Sequence, residues 1–280
     1  MADKHTFAGL RRYPRLRIQT PFPCSFMPLD LGLPLANAEE EVGIVYDISL
    51  RGLKVMSASV PCLGEQVAIG VRLPHQTLPA SIDRAVVRWK TSQAFGLEFT
   101  ALSKFSALSI RAFIVHSILD RTEAMKGLAQ QIVNDEGGMI FGRQYLNPQF
   151  LDYSLESLNC LNEYLEKIRL CAGIEKAWSD VVNRVGAYIG EVIRLNDTKH
   201  AWLWIDFDTA KSLDSKPFEA FGLCRGSAAV LFSGNREFAL PLEQVERYLR
   251  LGSSQNLIRF AQAVLAWGCA ETPTARFHQL

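Results

Sequence analysis

Four arginines crowd residues 11–17, and Arg11 and Arg15 stand at R-x-x-x-R spacing within Arg11-Arg12-Tyr13-Pro14-Arg15. A guanidinium is a planar fork of donors that binds phosphate oxygens bidentately and stacks on a base. Further along, Asp47-Ile48-Ser49-Leu50-Arg51-Gly52 gives a D-x-S-x-x-G spacing. A carboxylate there can accept from the N–H groups of a guanine edge, a serine hydroxyl can bond phosphate or base, and glycine permits a tight turn. Singly, each segment is ordinary. An arginine-rich arm is usually a solvated surface, and D-x-S-x-x-G is a common turn sequence. In this order they predict a nucleotide-binding surface built from an N-terminal arm and a β-turn.

Such groups need a scaffold, and residues 15–100 read as an all-β unit. Leu16, Ile18, Val42, Ile44, Val45 and Ile48 mark strand segments, and Leu53-Lys54-Val55-Met56 resumes after Gly52. Residues 67–73, 85–89 and 95–99 are further strands, rich in β-branched and aromatic residues. Pro21, Pro23, Pro28, Pro34, Pro61, Pro74 and Pro79 are expected at edges or connections, where a missing donor is harmless. Many short strands with such punctuation predict a small barrel or sandwich. Residues 101–134 switch to a helical period. Phe105, Leu108, Ile110, Phe113, Ile114, Ser117 and Ile118 keep an apolar face through Leu119, expected to cap an open barrel end. Glu136-Gly137-Gly138 and Asn147-Pro148 mark a connection between domains.

Arg11, Arg15, Asp47, Ser49 and Gly52, with strands between and after them and a closing helix, resemble the signature of the PilZ domain, the bacterial receptor for cyclic di-GMP. The resemblance covers roughly residues 8–118. It implies a six-stranded antiparallel β-barrel closed by a helix, with cyclic di-GMP held by those five residues and Arg12 as an additional candidate. Arg11 and Arg15 would wrap the ligand, Asp47 would accept from guanine N1–H and N2–H₂, Ser49 would bond nearby, and Gly52 would keep the turn compact. Leu10 precedes the first motif arginine, so no extra guanidinium stands there to stack on a second guanine, which favours one ligand per site. Tyr13, Trp89 and Phe95 are expected to pack in strands or core. Residues 1–14 hold little apolar surface besides Phe7, Leu10 and Tyr13, which predicts an arm ordered by its ligand. The implied role is a cytoplasmic second-messenger receptor, not an enzyme, that signals to a C-terminal domain or a protein partner. The alternatives are a PilZ-fold adaptor acting by protein contacts alone, and a regulatory barrel attached to an enzyme.

The parse that follows is a nucleotide-binding domain over 1–118, a helical linker over 119–152 and an α+β domain over 153–280. In the last, Leu155, Leu158, Leu161, Leu165 and Ile168 recur at helical steps, and a second helix is expected from about Glu175 through Ile193. Strands are expected at 201–207, 228–233 and 236–240, a helix start at Pro241, and a last helix capped by Ser253 or Ser254 and running through Trp267. The run Val185–Val192 faintly resembles bacterial domains of unknown function. Its Gly186 and Gly190, four apart, are expected to let another element approach closely. Glu191 is a candidate catalytic carboxylate, and Asp206 and Asp208 are candidate metal ligands. No histidine or further carboxylate stands at ligand spacing to join them, and His116 and His200 are isolated in sequence.

Composition sets bounds on partners. The formal net charge of +1 argues against a dedicated duplex-DNA or anionic-membrane binder. No stretch approaches the apolar length of a membrane span, and the first residues lead into no signal-peptide core. Six cysteines, at 24, 62, 160, 171, 224 and 269, form no C-x-x-C pair and predict reduced, mostly buried thiols with no metal or disulfide. No cofactor is expected besides the nucleotide ligand.

Overall fold

The structure is a computed structural model that describes the chain except residues 1–14, 31–32, 35–38, 75, 77, 135–139, 215–217, 219–228, 234–236 and 268–280. It divides into two compact units, residues 1–117 with 211–214, and residues 118–210 with 215–280.

Seven strands make the first unit: β1 (Leu16–Asp30), β2 (Leu33–Pro34), β3 (Glu41–Ser49), β4 (Gly52–Met56), β5 (Gln66–Val71), β6 (Ala80–Lys90) and β7 (Ala94–Ala101). Their order is β2-β1-β3-β4-β7-β6-β5, and β1 also pairs with β5. That pairing, like the others, is antiparallel and closes a six-stranded barrel, with the two-residue β2 lying outside it. Strand alternation sends one set of side chains inward. Val45, Ile48, Leu53, Val55, Val67, Ile82, Phe95 and Leu97 fill the interior and are buried. Phe26 meets Phe95 edge-on with ring centroids 5.1 Å apart. Closure leaves no long edge for another chain to pair with.

Pro21, Pro23 and Pro28 depart from expectation, because β1 runs through all three. Proline survives in a strand where the ladder is already interrupted or needs no donor. Pro21 sits in the irregularity between Arg17 and Phe22, and Pro23 contributes its carbonyl to the Arg72 N–H (3.4 Å).

Helix α1 (Lys104–Asn134) follows the barrel. The single apolar face read from the sequence resolves into two. Ser106, Ile110 and Ile114 are buried, and Phe113 meets Phe22 edge-on at 5.4 Å. Phe105, Leu108 and Leu119 are exposed. At 100° per residue they lie about half a turn from Ile110, so one helix face cannot hold both sets.

The second unit contains α2 (Leu158–Ile168), α3 (Ile174–Asn196), β8 (Trp202–Asp206), β9 (Ala229–Ser233), β10 (Phe238–Ala239), α5 (Pro241–Leu251) and α6 (Leu257–Leu265). A short α4 (Phe207–Leu213) follows β8 and is divided between the units, its residues 211–213 belonging to the first. The strands form an antiparallel sheet in the order β10-β9-β8. Residues 119–152, expected as a linker, instead supply Met125, Ala129, Ile132, Ile140, Leu146 and Leu151 to this unit's core. The two glycines of α3 serve packing, as expected. A Cβ at Gly190 would stand 2.0 Å from the Trp204 ring, and one at Gly186 would stand 2.8 Å from Leu242. The last helix is capped by Asn256, whose side chain accepts from Arg259 N–H (3.1 Å), while Ser253 and Ser254 lie in a preceding 3₁₀ turn. That turn begins at Gly252, whose φ of 77° ends α5.

Candidate nucleotide site

Pairing register assembles the site across the outer face of the barrel. Leu16 and Ile18 point inward and are buried, so Arg17 between them is exposed. Arg17 pairs with Asp47 on β3, Asp47 with Lys54 on β4, Lys54 with Gly96 on β7, and Gly96 with Trp89 on β6. Residues in register share a face, which strings Arg17, Asp47, Lys54 and Trp89 along one row. Two bulges help. The ladder slips between Val45 and Asp47 and again between Val87 and Trp89. An extra residue in a bulge re-aims its neighbours, so Tyr46 joins Asp47, and Arg88 joins Trp89, outside the core.

Arg15 lies just ahead of β1, and its Nη1 stands 3.4 Å from Asp47 Oδ1, with the side chains 23% and 21% exposed. Its backbone N–H donates to Ser212 Oγ at 3.0 Å, within the same unit. Lys54 Nζ lies 5.9 Å from the Tyr46 ring centroid, within cation–π range. Trp89 covers Gly96 so closely that a Cβ there would meet the indole nitrogen at 2.0 Å. The arrangement is a partly exposed carboxylate paired with the Arg15 guanidinium, with Arg17 and Lys54 beside it in register and the Tyr46 and Trp89 rings on the same outer face. It can take an anion and a base edge at once.

The β3–β4 turn is held from within. Ser49 Oγ donates to Gly52 O (3.3 Å) and accepts from Arg51 N–H (3.3 Å), and the side chain is buried. At Gly52 close approach is the constraint. A Cβ there would lie 2.2 Å from Leu97 O on β7, so any larger residue pushes β4 off its neighbour. The neighbouring Arg51 O accepts from Phe99 N–H (2.8 Å), which ties the turn to β7.

Of the residues singled out by sequence, Arg15 and Asp47 are brought together, and Ser49 and Gly52 build the turn that follows Asp47. Arg11 and Arg12, with Leu10 and Tyr13, lie outside the described residues. Sequence reasoning missed Arg17 and Lys54 as neighbours of Asp47. Their signal was alternation, since each lies between two inward-facing apolar residues. Phe95 is core, as expected, whereas Trp89 is half-buried on the outer face.

The barrel resembles a PilZ domain. No protein-family model matches the sequence, and no curated protein matches it. Among solved structures, the PilZ domain of YcgR from Escherichia coli with c-di-GMP is 19% identical with a TM-score of 0.32, covering 42% of this chain and 95% of that one. Bacillus subtilis inhibitor of motility (MotI/DgrA) is also 19% identical, with a TM-score of 0.31 over 40% of this chain. This chain spans about half of that structure, 52% of its length. The PilZ domain of CeSA from a cellulose-synthesizing bacterium is 15% identical, with a TM-score of 0.28, covering 36% of this chain and 95% of that one.

The candidate groups of the second unit are engaged in holding it together. Glu191 is buried, accepts from Trp204 Nε1 (2.9 Å) and pairs with Arg194 (3.0 Å). Asp206 caps α4 by accepting from the Thr209 N–H (2.8 Å) and hydroxyl. Asp208 lies in the first turn of that helix, where its charge suits the dipole. Among the described residues, no three His, Cys, Asp or Glu side chains gather to hold a metal ion. His200, isolated in sequence, is not isolated in space. Its Nδ1 is 2.9 Å from Asp197 Oδ2, and its Nε2 is 3.8 Å from Glu237. The thiols also depart from the expected burial. Cys24 is buried and pushed up to about 12 by desolvation, but Cys62 is exposed. No described helix is long and apolar enough to cross a membrane.

Proposed function

We propose that the barrel is a receptor site for cyclic di-GMP, and that binding there is read by the second unit or by a protein partner. The observation that carries this is the pairing of Arg15 with Asp47 at 3.4 Å on a solvent-accessible barrel face. An arginine engaged with a carboxylate at that length can exchange it for a phosphate, which offers bidentate geometry. Asp47 then accepts from the N1–H and N2–H₂ of a guanine, a pair of donors that adenine lacks. Arg17 and Lys54, in register on either side, add cations for the second phosphate. Trp89 on its glycine seat offers a flat apolar surface for a purine.

Calorimetric titration of the full chain with cyclic di-GMP and, separately, cyclic di-AMP tests this. We expect saturable binding of the guanine ligand and a marked preference over the adenine one. Asp47→Ala should shrink that preference by about 1–3 kcal/mol, the usual worth of a bidentate base contact. No heat and no protection by either nucleotide would remove the receptor reading. A preference that survives Asp47→Ala would move base recognition to another residue.

A further inference from the structure

A cleft of about 610 Å³, open to solvent, lies entirely within the second unit. Its walls are the 3₁₀ turns at Arg143–Tyr145 and Pro148–Phe150, the loop after them, and the outer side of α2. That volume falls in the range in which proteins hold small molecules. The walls are fixed from behind. The hydroxyl of Tyr188, buried in α3, accepts from Tyr153 N–H (2.8 Å) and donates to Ser157 Oγ (2.8 Å). The two tyrosine rings stack with centroids 4.7 Å apart. These contacts hold Tyr153 at a φ of 62°, a left-handed conformation that a bulky residue keeps only where its surroundings impose it. Across the cleft, Asn147 Oδ1 accepts from Gln149 N–H (3.2 Å), and the Cys160 thiol donates to Asn147 O (3.4 Å). Walls held in this way have little freedom left to lose when a ligand enters.

The lining narrows the occupant. Three carboxylates, Asp152, Glu156 and Glu163, are balanced by one ammonium, Lys167, so an anion such as a nucleotide is repelled. The amide side chains of Gln144, Asn147, Gln149 and Asn159 line it too, and each sets NH₂ donors beside a carbonyl acceptor. A cation has use for acceptors only and leaves those donors idle. A hydroxyl donates and accepts at once, so it answers amide and carboxylate alike. The Tyr145 and Phe150 rings complete the lining at 38% and 64% exposure and offer apolar surface. A hydroxylated edge joined to an apolar C–H face is the chemistry of a sugar ring. We propose that this cleft binds a neutral carbohydrate of one or two rings. Its hydroxyls meet the amides and Glu163, and its C–H face lies on Tyr145 and Phe150. No residue of the barrel site takes part, so the proposal stands or falls independently of cyclic di-GMP binding.

Saturation-transfer NMR on the full chain tests this with glucose, galactose, mannose, N-acetylglucosamine, maltose and lactose, and with spermidine as a cationic probe. At least one sugar should give a saturable signal that raised salt leaves unchanged, because a neutral ligand feels no screening. Phe150→Ala and Asn159→Ala should each weaken that sugar by about tenfold, the worth of one ring contact or one hydrogen bond. Both side chains are exposed, so the melting curves of the two variants should match the wild type. No saturable signal from any sugar, a salt-sensitive signal from spermidine alone, or sugar binding indifferent to both variants would overturn the proposal.

Discussion

Asp47 in the barrel and Asp197 in the second unit are both carboxylates set beside cationic or ring N–H groups, yet their surroundings differ. Asp47 keeps about a fifth of its side chain in solvent and meets Arg15 at 3.4 Å. The Asp197 side chain is 2% exposed and accepts from Trp202 Nε1 (2.8 Å), the His200 ring (2.9 Å) and the backbone N–H groups of Lys199 (2.8 Å) and His200 (3.1 Å). A saturated buried acceptor is worth stability and cannot change partners without a large penalty. An accessible one at the long end of pairing distance exchanges partners cheaply. Residue type is the same in both places; burial separates a group open to a ligand from one closed into the core. The second unit repeats the lesson at Glu191 and Asp206, two carboxylates whose type alone suggested chemistry.

The largest effect that tests this contrast lies in the second unit. Trp204 is fully buried over Gly190, and its indole donates to Glu191. Trp204→Ala removes that packing and leaves a buried carboxylate short of a donor, so we expect a loss of about 3–5 kcal/mol in denaturant unfolding. Cyclic di-GMP affinity, measured below the onset of melting, should not move. If affinity falls in step with stability, the two units do not divide structure from binding.

Arg15→Ala is the converse experiment. Its side chain lies at the barrel surface, partly exposed and paired with Asp47, so the melting curve should stay close to wild type. Affinity for cyclic di-GMP should drop by about 1.5–3 kcal/mol, roughly 10- to 150-fold, the worth of a charge-assisted bond. An unchanged affinity would take Arg15 out of the site. A collapsed fold with unchanged affinity per folded molecule would make its pair with Asp47 structural, like those of the second unit.

How far these assignments were legible in the sequence follows from the range of the signals. Strand period and turn residues are local, so β3, β4, β5 and β7 and the Ser49–Gly52 turn could be read within a residue or two, while β6, expected at 85–89, begins five residues earlier at Ala80. The inward–outward sense of α1 was not local. Phe105 and Ile110 look alike in a linear pattern, and only the barrel says which one it needs. Proline misled at β1 for the same reason, since tolerance depends on which neighbour a missing N–H would have faced. The candidate site was half legible. Arg15 and Asp47 carry the motif, but Arg17 and Lys54 become neighbours of Asp47 only through the β1–β3 and β3–β4 registers. The pairing of His200 with Asp197 was overlooked because helix α3 ends between the helical pattern and the strand, where no periodicity draws attention to a capping carboxylate.

The smallest effect expected is one of slope, and it asks whether Asp197 is as structural as its partners imply. Burial by itself would raise its carboxyl, but the Trp202 and His200 side chains and two backbone N–H groups outweigh that and hold it below the ordinary range. A carboxyl whose value is lower in the folded than in the unfolded chain binds its proton more readily when unfolded. Its contribution to stability is therefore complete above about pH 4, the ordinary aspartate value, and is lost as pH falls through the lower folded value. Thermal melting of the full chain from pH 6 down to pH 3 should show the wild type losing stability faster than Asp197→Asn, which has no proton to take up there. The comparison is made between slopes, so a uniform cost of the substitution at neutral pH does not disturb it. Parallel curves would mean that Asp197 titrates alike in both states, and its bonds would then add nothing to the stability of the fold that depends on its charge.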